Sequence, residues 1–399
     1  MIIKSNRIYM EDGCKSGYLE IENGLIKKFH PEGSNIKADV DYGNNRVIPG
    51  IFDTHIHGGF GVRLDDSTTE DEIKLFLKGA ASVGVTALFP TTTELGAMAL
   101  LSKMAKESQD GAKIMGIHSE GPWGARVGEK GVNTGYPKVD LDYAQKMMDA
   151  SGGMLKLVGI APEVEGADKA IEFFLKNGVT MAIYHTNANH EQANKAIDCG
   201  ITVATHLGNV MTGLHHRDIG TMGACILRDE VYCELICDGL HISLPMIDII
   251  LRLKDPDKII MISDNLAYAG APVGKYRSGY VQSNSDRNHI HVSEDGFVLS
   301  DTGRLTGSSK PVIFGIKNLV EGLGVPLEQV IRFCSYNPHE KYGTIDKKGS
   351  IAVGKDADFV VVDDGYGVLY TYCEGRLVFD YGVNVRVFNE SFVEEFKIS

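Results

Sequence analysis

Eight short apolar runs, each followed by a stretch of different texture, constrain this chain more than any other feature. They are VIPGIFDTH (47–55), VTALFP (85–90), AKIMGIHSE (112–120), LKLVGIAPE (155–163), VTMAIYH (179–185), ITVATH (201–206), VYCELICD (231–238) and KIIMISD (258–264). Between them the sequence reads as helix over 69–83, 95–109, 140–150, 166–177, 189–199 and 243–253. Near-continuous apolar strands alternating with helices mark a parallel sheet covered on both faces. Eight of them within about 220 residues favour closure into a (β/α)8 barrel over an open doubly wound sheet.

The two ends of the chain differ. Up to residue 47 the sequence reads as short strands and turns, with Asn23-Gly24 between alternating segments as a hairpin signal. From about 348, GSIAVGKDADFVVVDD returns to strands. The expected class is α/β: a (β/α)8 TIM-like barrel over 48–347 and a small flanking β-sandwich formed by both termini, 1–47 and 348–399. A hairpin-like insertion at about 276–305 and two helices, 309–322 and 326–336, are expected after the eighth run.

A formal net charge of −13 argues against a nucleic-acid or anionic-membrane surface. No apolar run approaches the ~18 residues of a membrane-spanning helix. The opening MIIKSNRIYM lacks the pattern of a secretory signal. Seven cysteines without a Cys-x-x-Cys pair read as reduced thiols of a cytoplasmic protein. Cys225, Cys233 and Cys237 read as buried thiols, with a thiolate metal site as the poorer-spaced alternative.

Polar residues gather where the runs end. The first ends in Asp53, His55 and His57, the third in His118 and Glu120, the fifth in His185 and the sixth in His206. The seventh leads to Asp238 and His241, and the eighth ends in Asp264. All carboxyl ends of barrel strands lie on one face, where active sites sit, so these residues should converge. One histidine at a strand end is usually structural, but this many on one barrel point to a metal. Imidazole and carboxylate ligands suit zinc or another divalent transition ion. Hydrolysis further needs a water and a nearby base. His118, two residues before Glu120, is discounted as a ligand and read as its support. His215 and His216 fall in the loop after the sixth run, and His30, His190, His289, His291 and His339 read as surface residues.

Taken together, PGIFDTHIHGG, GIHSEGPW, HLGNVMTGLHHR, DGLHI, ISDN, RLTGSS and GSIAVGKDADFVVVD resemble the amidohydrolase superfamily, and within it the N-acetylglucosamine-6-phosphate deacetylase family. The resemblance runs in order from about 47 to 363. It implies a metal-dependent deacetylase of an N-acetylated amino sugar 6-phosphate, with N-acetylgalactosamine 6-phosphate or another amide or cyclic amide as alternatives, and a homodimer. A metal-binding relative without activity is the reading from another class. The carbamylated lysine of many amidohydrolases has no counterpart, because Lys156 starts the fourth run and no lysine ends it.

Carried over residue by residue, Glu120, His185 and His206 hold the main divalent ion, and His55 and His57 a second with Glu120 between. Zinc is the first choice, with iron, cobalt or manganese as alternatives. Asp264 is the general base and acid, and His241 polarises the acetamide carbonyl. Asn209, the backbone of Val210 and Arg217 meet the phosphate; Leu305, Thr306 and Gly307 line the sugar pocket, and Asn133 stands where the family often has histidine. Asn133, HLGNVM, HHRDIG and SDN depart from the family pattern around the substrate, which leaves the sugar open.

Overall fold

The computed structural model describes residues 1–107, 110–126, 138–278, 289–383 and 387–398. Eight parallel strands form the barrel: β1 (Ile51–Ile56), β2 (Val85–Pro90), β3 (Ile117–Ser119), β4 (Leu155–Ile160), β5 (Thr180–Ile183), β6 (Val203–Ala204), β7 (Tyr232–Ile236) and β8 (Ile259–Ile262). A two-residue strand, Lys113–Ile114, precedes β3 and pairs with β2, while β3 itself pairs with β4. Two seams close the circle. Thr92 N–H donates to the His118 carbonyl at 3.0 Å, and Asp264 N–H donates to the His55 carbonyl at 2.9 Å. Both seams therefore run through residues flagged from sequence.

Helices α1 (Glu70–Ser82), α2 (Leu95–Met104), α3 (Leu141–Ser151), α4 (Ala167–Lys176), α5 (His190–Asp198), α6 (Gly220–Leu227) and α7 (Leu244–Leu253) fill the gaps between strands. Their starts are written locally. Thr69 with Glu72, and Asn189 with Gln192, form capping boxes on α1 and α5, each satisfying N–H groups a helix start leaves open. Between helices and strands lies one core that includes Phe76, Leu101, Met147, Phe174 and Ile250. The barrel interior is a separate cluster of Leu157, Ala182, Val203, Tyr232, Ile236, Ile260 and Ile262. Alternate residues of β7 thus face inward, at 232, 234 and 236, and outward, at 233 and 235.

The flanking sandwich takes the form of one continuous sheet curled over its own core. Its order runs Arg376–Asp380, Val368–Cys373, Phe359–Val362, Arg46–Pro49, Ile2–Met10, Gly13–Glu22 and Leu25–Pro31, with Val40–Asp41 beside Ile2–Met10. Ile3, Leu19, Ile26, Val47, Phe359 and Tyr372 share that core. Asn23 and Gly24, with φ of 52° and 80°, make the expected hairpin turn, a pair of left-handed residues that matches strand twist. Residues 387–398, assigned above to this unit, instead pack on the barrel side: Phe392 meets Tyr268 and Tyr276, and Asn389 N–H donates to Phe60 O at 2.8 Å. Burial of Phe388 and Phe392 drives that return.

The insertion contributes an antiparallel sheet of Gly274–Arg277, His289–Val292 and Val298–Ser300. The following helices run over 312–322 and 327–341, each with a π-helical turn at 318–322 and 332–336. All seven cysteines are unpaired, five of them buried, Cys225, Cys233 and Cys237 included. No helix among the described residues is long and apolar enough to cross a membrane.

Candidate active site

Glu120, just past β3, is the centre of the site. Its Oε1 lies 2.8 Å from His206 Nε2 and 3.3 Å from His185 Nε2. Its Oε2 lies 2.9 Å from His57 Nε2 and 3.7 Å from His55 Nε2. Two donor sets result, His55–His57–Glu120 and Glu120–His185–His206, each with ligand atoms within 4.8 Å of one another. Asp264 faces the first pair, with Oδ1 3.3 Å from His55 Nε2 and 3.4 Å from His57 Nε2. His185, His206 and Asp264 have φ of 41°, 30° and 52°. Such left-handed non-glycine residues cost on the order of 1–3 kcal/mol each and gather at functional sites.

The electrostatics agree with a cation site. Burial opposes charge on Glu120, yet His185 and His55 draw its carboxyl well below the ordinary range. Asp264 is lowered in the same way, against burial, by His55 and His57. Burial would lower His57, but bonding to Asp264 and Glu120 raises it to about 9. Acids and imidazoles thus hold one another charged, and the field that retains protons on these rings attracts a divalent cation in their place. Four imidazoles around one carboxylate fit such an ion in ligand chemistry.

His118 belongs to neither donor set. It is fully buried, edge-on to the His55 ring at 4.5 Å, with Nδ1 3.4 Å from Thr91 Oγ1. Burial and the neighbouring His55 push it well below its ordinary pKa, so it packs as a neutral ring. Asp53 reaches the site through the backbone, accepting N–H from His55 at 3.3 Å and Ser263 at 3.1 Å, and burial raises it to about 6.

His241 is held by Asp238. Asp238 Oδ2 lies 2.6 Å from His241 Nδ1, and its Oδ1 accepts the N–H groups of Leu240 and His241 at 2.9 Å each. Burial would raise the Asp238 carboxyl, but the bond to His241 brings it below the ordinary range. This arrangement fixes a proton on Nδ1; a second proton on Nε2 makes the ring an imidazolium whose charge Asp238 stabilises.

The proposed substrate residues fall as follows. Asn209 is buried, with Nδ2 3.3 Å from His206 O, and Val210 adopts φ 51°, rare for a β-branched residue. Residues 305–307 are brought to the end of β8 by the bridge between Asn265 and Ser308. Gly307 is required there: φ is 74°, and a Cβ would come 2.2 Å from Leu266. Arg217 is exposed on the loop before α6. Asp218 pairs with His190 at 3.1 Å and caps Gly220 N–H at 2.8 Å, so the adjacent acid is engaged elsewhere. Asn133 lies outside the described residues.

One histidine reading changes, and one buried acid escaped the sequence. His339, read as a surface residue, is buried against Phe52 with ring centroids 4.6 Å apart, because its helix, running to 341, covers the barrel. His289 and His291 both contact Asp301, at 2.9 Å each, on the insertion sheet. Glu234 was hidden in the run VYCELICD, yet it sits fully buried inside the barrel with Oε1 accepting the Thr54 hydroxyl at 2.7 Å. Its only signal in the sequence is an acid inside an otherwise apolar strand.

A family model described as Amidohydrolase family matches residues 46–378. The chain belongs to the amidohydrolase family. Among relatives of this amidohydrolase, N-acetylglucosamine-6-phosphate deacetylase of Vibrio furnissii is 31% identical over 373 residues, covering 92% of this chain and 91% of the relative. N-acetylgalactosamine-6-phosphate deacetylase of Escherichia coli O157:H7 is 29% identical over 386 residues, covering 94% and 98%. A Mycobacterium smegmatis N-acetyl-D-glucosamine-6-phosphate deacetylase mutant, solved in complex with N-acetyl-D-glucosamine 6-phosphate, superposes with a TM-score of 0.84 at 28% identity, covering 95% and 99%. This amidohydrolase is thus a metal-dependent hydrolase of the deacetylase branch.

Proposed function

We propose that this enzyme hydrolyses the acetamide of N-acetyl-D-glucosamine 6-phosphate to acetate and the free amino sugar 6-phosphate, as a step in amino sugar breakdown. The observation that carries the reading is Glu120 set between two histidine pairs, with Asp264 facing the cluster. Zinc is the ion proposed first, at His185, His206 and Glu120, with a second at His55, His57 and Glu120. A bound divalent ion supplies a Lewis acid for the carbonyl and lowers the pKa of water toward neutrality. Asp264 takes the proton of the attacking water at Oδ1 and returns it to the leaving amine nitrogen. His241 donates from Nε2 to the oxygen that gains charge, while Asp238 holds Nδ1. Arg217, Asn209 and the backbone at Val210 receive the phosphate, an arginine fork suiting its oxygens.

The E. coli relative supports a second substrate, N-acetylgalactosamine 6-phosphate. A cytoplasmic homodimer belongs to the same proposal. Acetate release from both epimers and from unphosphorylated N-acetylglucosamine, with zinc-loaded protein, tests it. Release from a phosphorylated epimer is expected; none from either overturns the reading.

A further inference from the structure

We propose that Glu234 is the positioning residue of His55: it receives the Nδ1 proton of that ring and so turns Nε2, as a lone-pair donor, toward the second ion. This rests on the two-ion reading above. Glu234 stands between Tyr232 and Ile236 on the interior face of β7, where its neighbours are apolar. The register of β6 on β7, Val203 beside Tyr232 and Ala204 beside Cys233, places it at the level where the ligand histidines begin. Burying a carboxylate there is costly without partners, so the partners explain why it is tolerated.

One partner is plain. Thr54 donates its hydroxyl to Oε1 at 2.7 Å. Among the described residues, the other oxygen, Oε2, is buried without a hydrogen bond, and so is His55 Nδ1. These two atoms face each other at 3.9 Å. The gap exceeds a hydrogen bond, and a small rotation of the ring closes it.

The other side of the ring decides the direction. His55 Nε2 points at Glu120, Asp264 and His57, the position from which an ion is bound. A ligand nitrogen must be unprotonated, which leaves the ring proton on Nδ1, and that proton needs an acceptor inside a closed barrel. Asp53 spends one oxygen on the backbone N–H groups of His55 and Ser263, not on the ring. His118 meets the ring edge-on and offers no carboxylate. Glu234 fills the role, and it serves the His55–His57 side alone. His206 Nδ1 is equally buried and has no hydrogen-bond partner among the described residues.

The test is zinc binding to the purified full-length enzyme, with ion count and both affinities read by chelator competition. Glu234→Leu should weaken one ion by about 10–100-fold, the usual effect of losing such an outer partner, and leave the other within twofold. Glu234→Gln keeps the shape and a neutral acceptor, so its loss should be intermediate, and it decides the matter if the leucine variant does not fold. Two ions held at wild-type affinity in the folded variants overturn the role of Glu234. Equal weakening of both ions also overturns it, since that is general loosening of the barrel. A wild-type enzyme that holds one ion, unchanged in His55→Ala, overturns the two-ion reading itself and is told apart by needing no Glu234 variant.

Discussion

Replacing Asp238 by asparagine isolates what one carboxylate does for His241. In the wild type Asp238 makes three contacts: the ring Nδ1 at 2.6 Å and the N–H groups of Leu240 and His241 at 2.9 Å. Asparagine can keep its oxygen on the two backbone groups, which leaves its NH2 against Nδ1. The ring must then carry its proton on Nε2 as a neutral imidazole. It still donates to the substrate carbonyl, but without the charge that the aspartate stabilises. A hydrogen bond to a charged group contributes about 1.5–3 kcal/mol against about 1 for a neutral one, so the loss is about 0.5–2 kcal/mol. At 1.36 kcal/mol per tenfold, kcat should fall roughly 2- to 30-fold. KM should hold, because the contact strengthens as charge develops on the oxygen. Steady-state acetate release at saturating zinc measures this, alongside metal content and circular dichroism. A variant with kcat within twofold of wild type, with metal and fold intact, would refute the reasoning.

Asp264→Asn should bind metal and fold normally yet lose at least about 100-fold in kcat, the lower end for a lost general base; a smaller loss sends the proton elsewhere. Arg217→Ala should raise KM for the phosphorylated substrate strongly and leave turnover of the unphosphorylated analogue nearly unchanged, since the side chain is exposed and its neighbour Asp218 is engaged with His190; equal effects on both substrates would make it a fold or interface residue. His339 predicts acid sensitivity. Burial, with Lys348 and Lys355 nearby, lowers it to about 3 in the folded protein. An unfolded histidine takes its proton near 6.5, so stability is full above that pH and is lost as pH falls from 6.5 toward 3. By pH 5 the loss is about 2 kcal/mol. The urea midpoint should fall less between pH 7 and 5 in His339→Gln than in the wild type.

The barrel could be read from sequence because strands buried on both faces are written as unbroken apolar runs, and β2 matches its run of 85–90 residue for residue. The ligand cluster could be read because its members end those runs. Glu234 could not, for the same physical reason that made the strand visible: a run that is apolar on both faces carries no alternation to say which residues point inward. His339 was missed because burial under a helix that caps the barrel depends on tertiary packing, not on spacing in the chain. The return of 387–398 rests on two phenylalanines in a stretch too short to announce its partner. Val210 carries a left-handed backbone at a residue type that gives no hint of it.

The order of the flanking sheet has a consequence for how the protein is made. Arg46–Pro49 lies between Ile2–Met10 and Phe359–Val362, and the latter pairs with it residue by residue from 359 to 362. The strand is synthesised early, while its neighbour on one side waits for everything from 50 to 358. At ordinary elongation rates that wait is roughly 15 to 60 seconds. Throughout it, Val47 and Ile48, both fully buried in the finished protein, stand on an open sheet edge, the kind of surface that recruits strands from other chains. That edge is therefore a site for mispairing until 359–362 has left the ribosome. Holding that edge covered by a chaperone, or moving the chain ends by circular permutation so that 359–362 is translated beside 46–49, should raise the yield of native protein without touching a residue of the site.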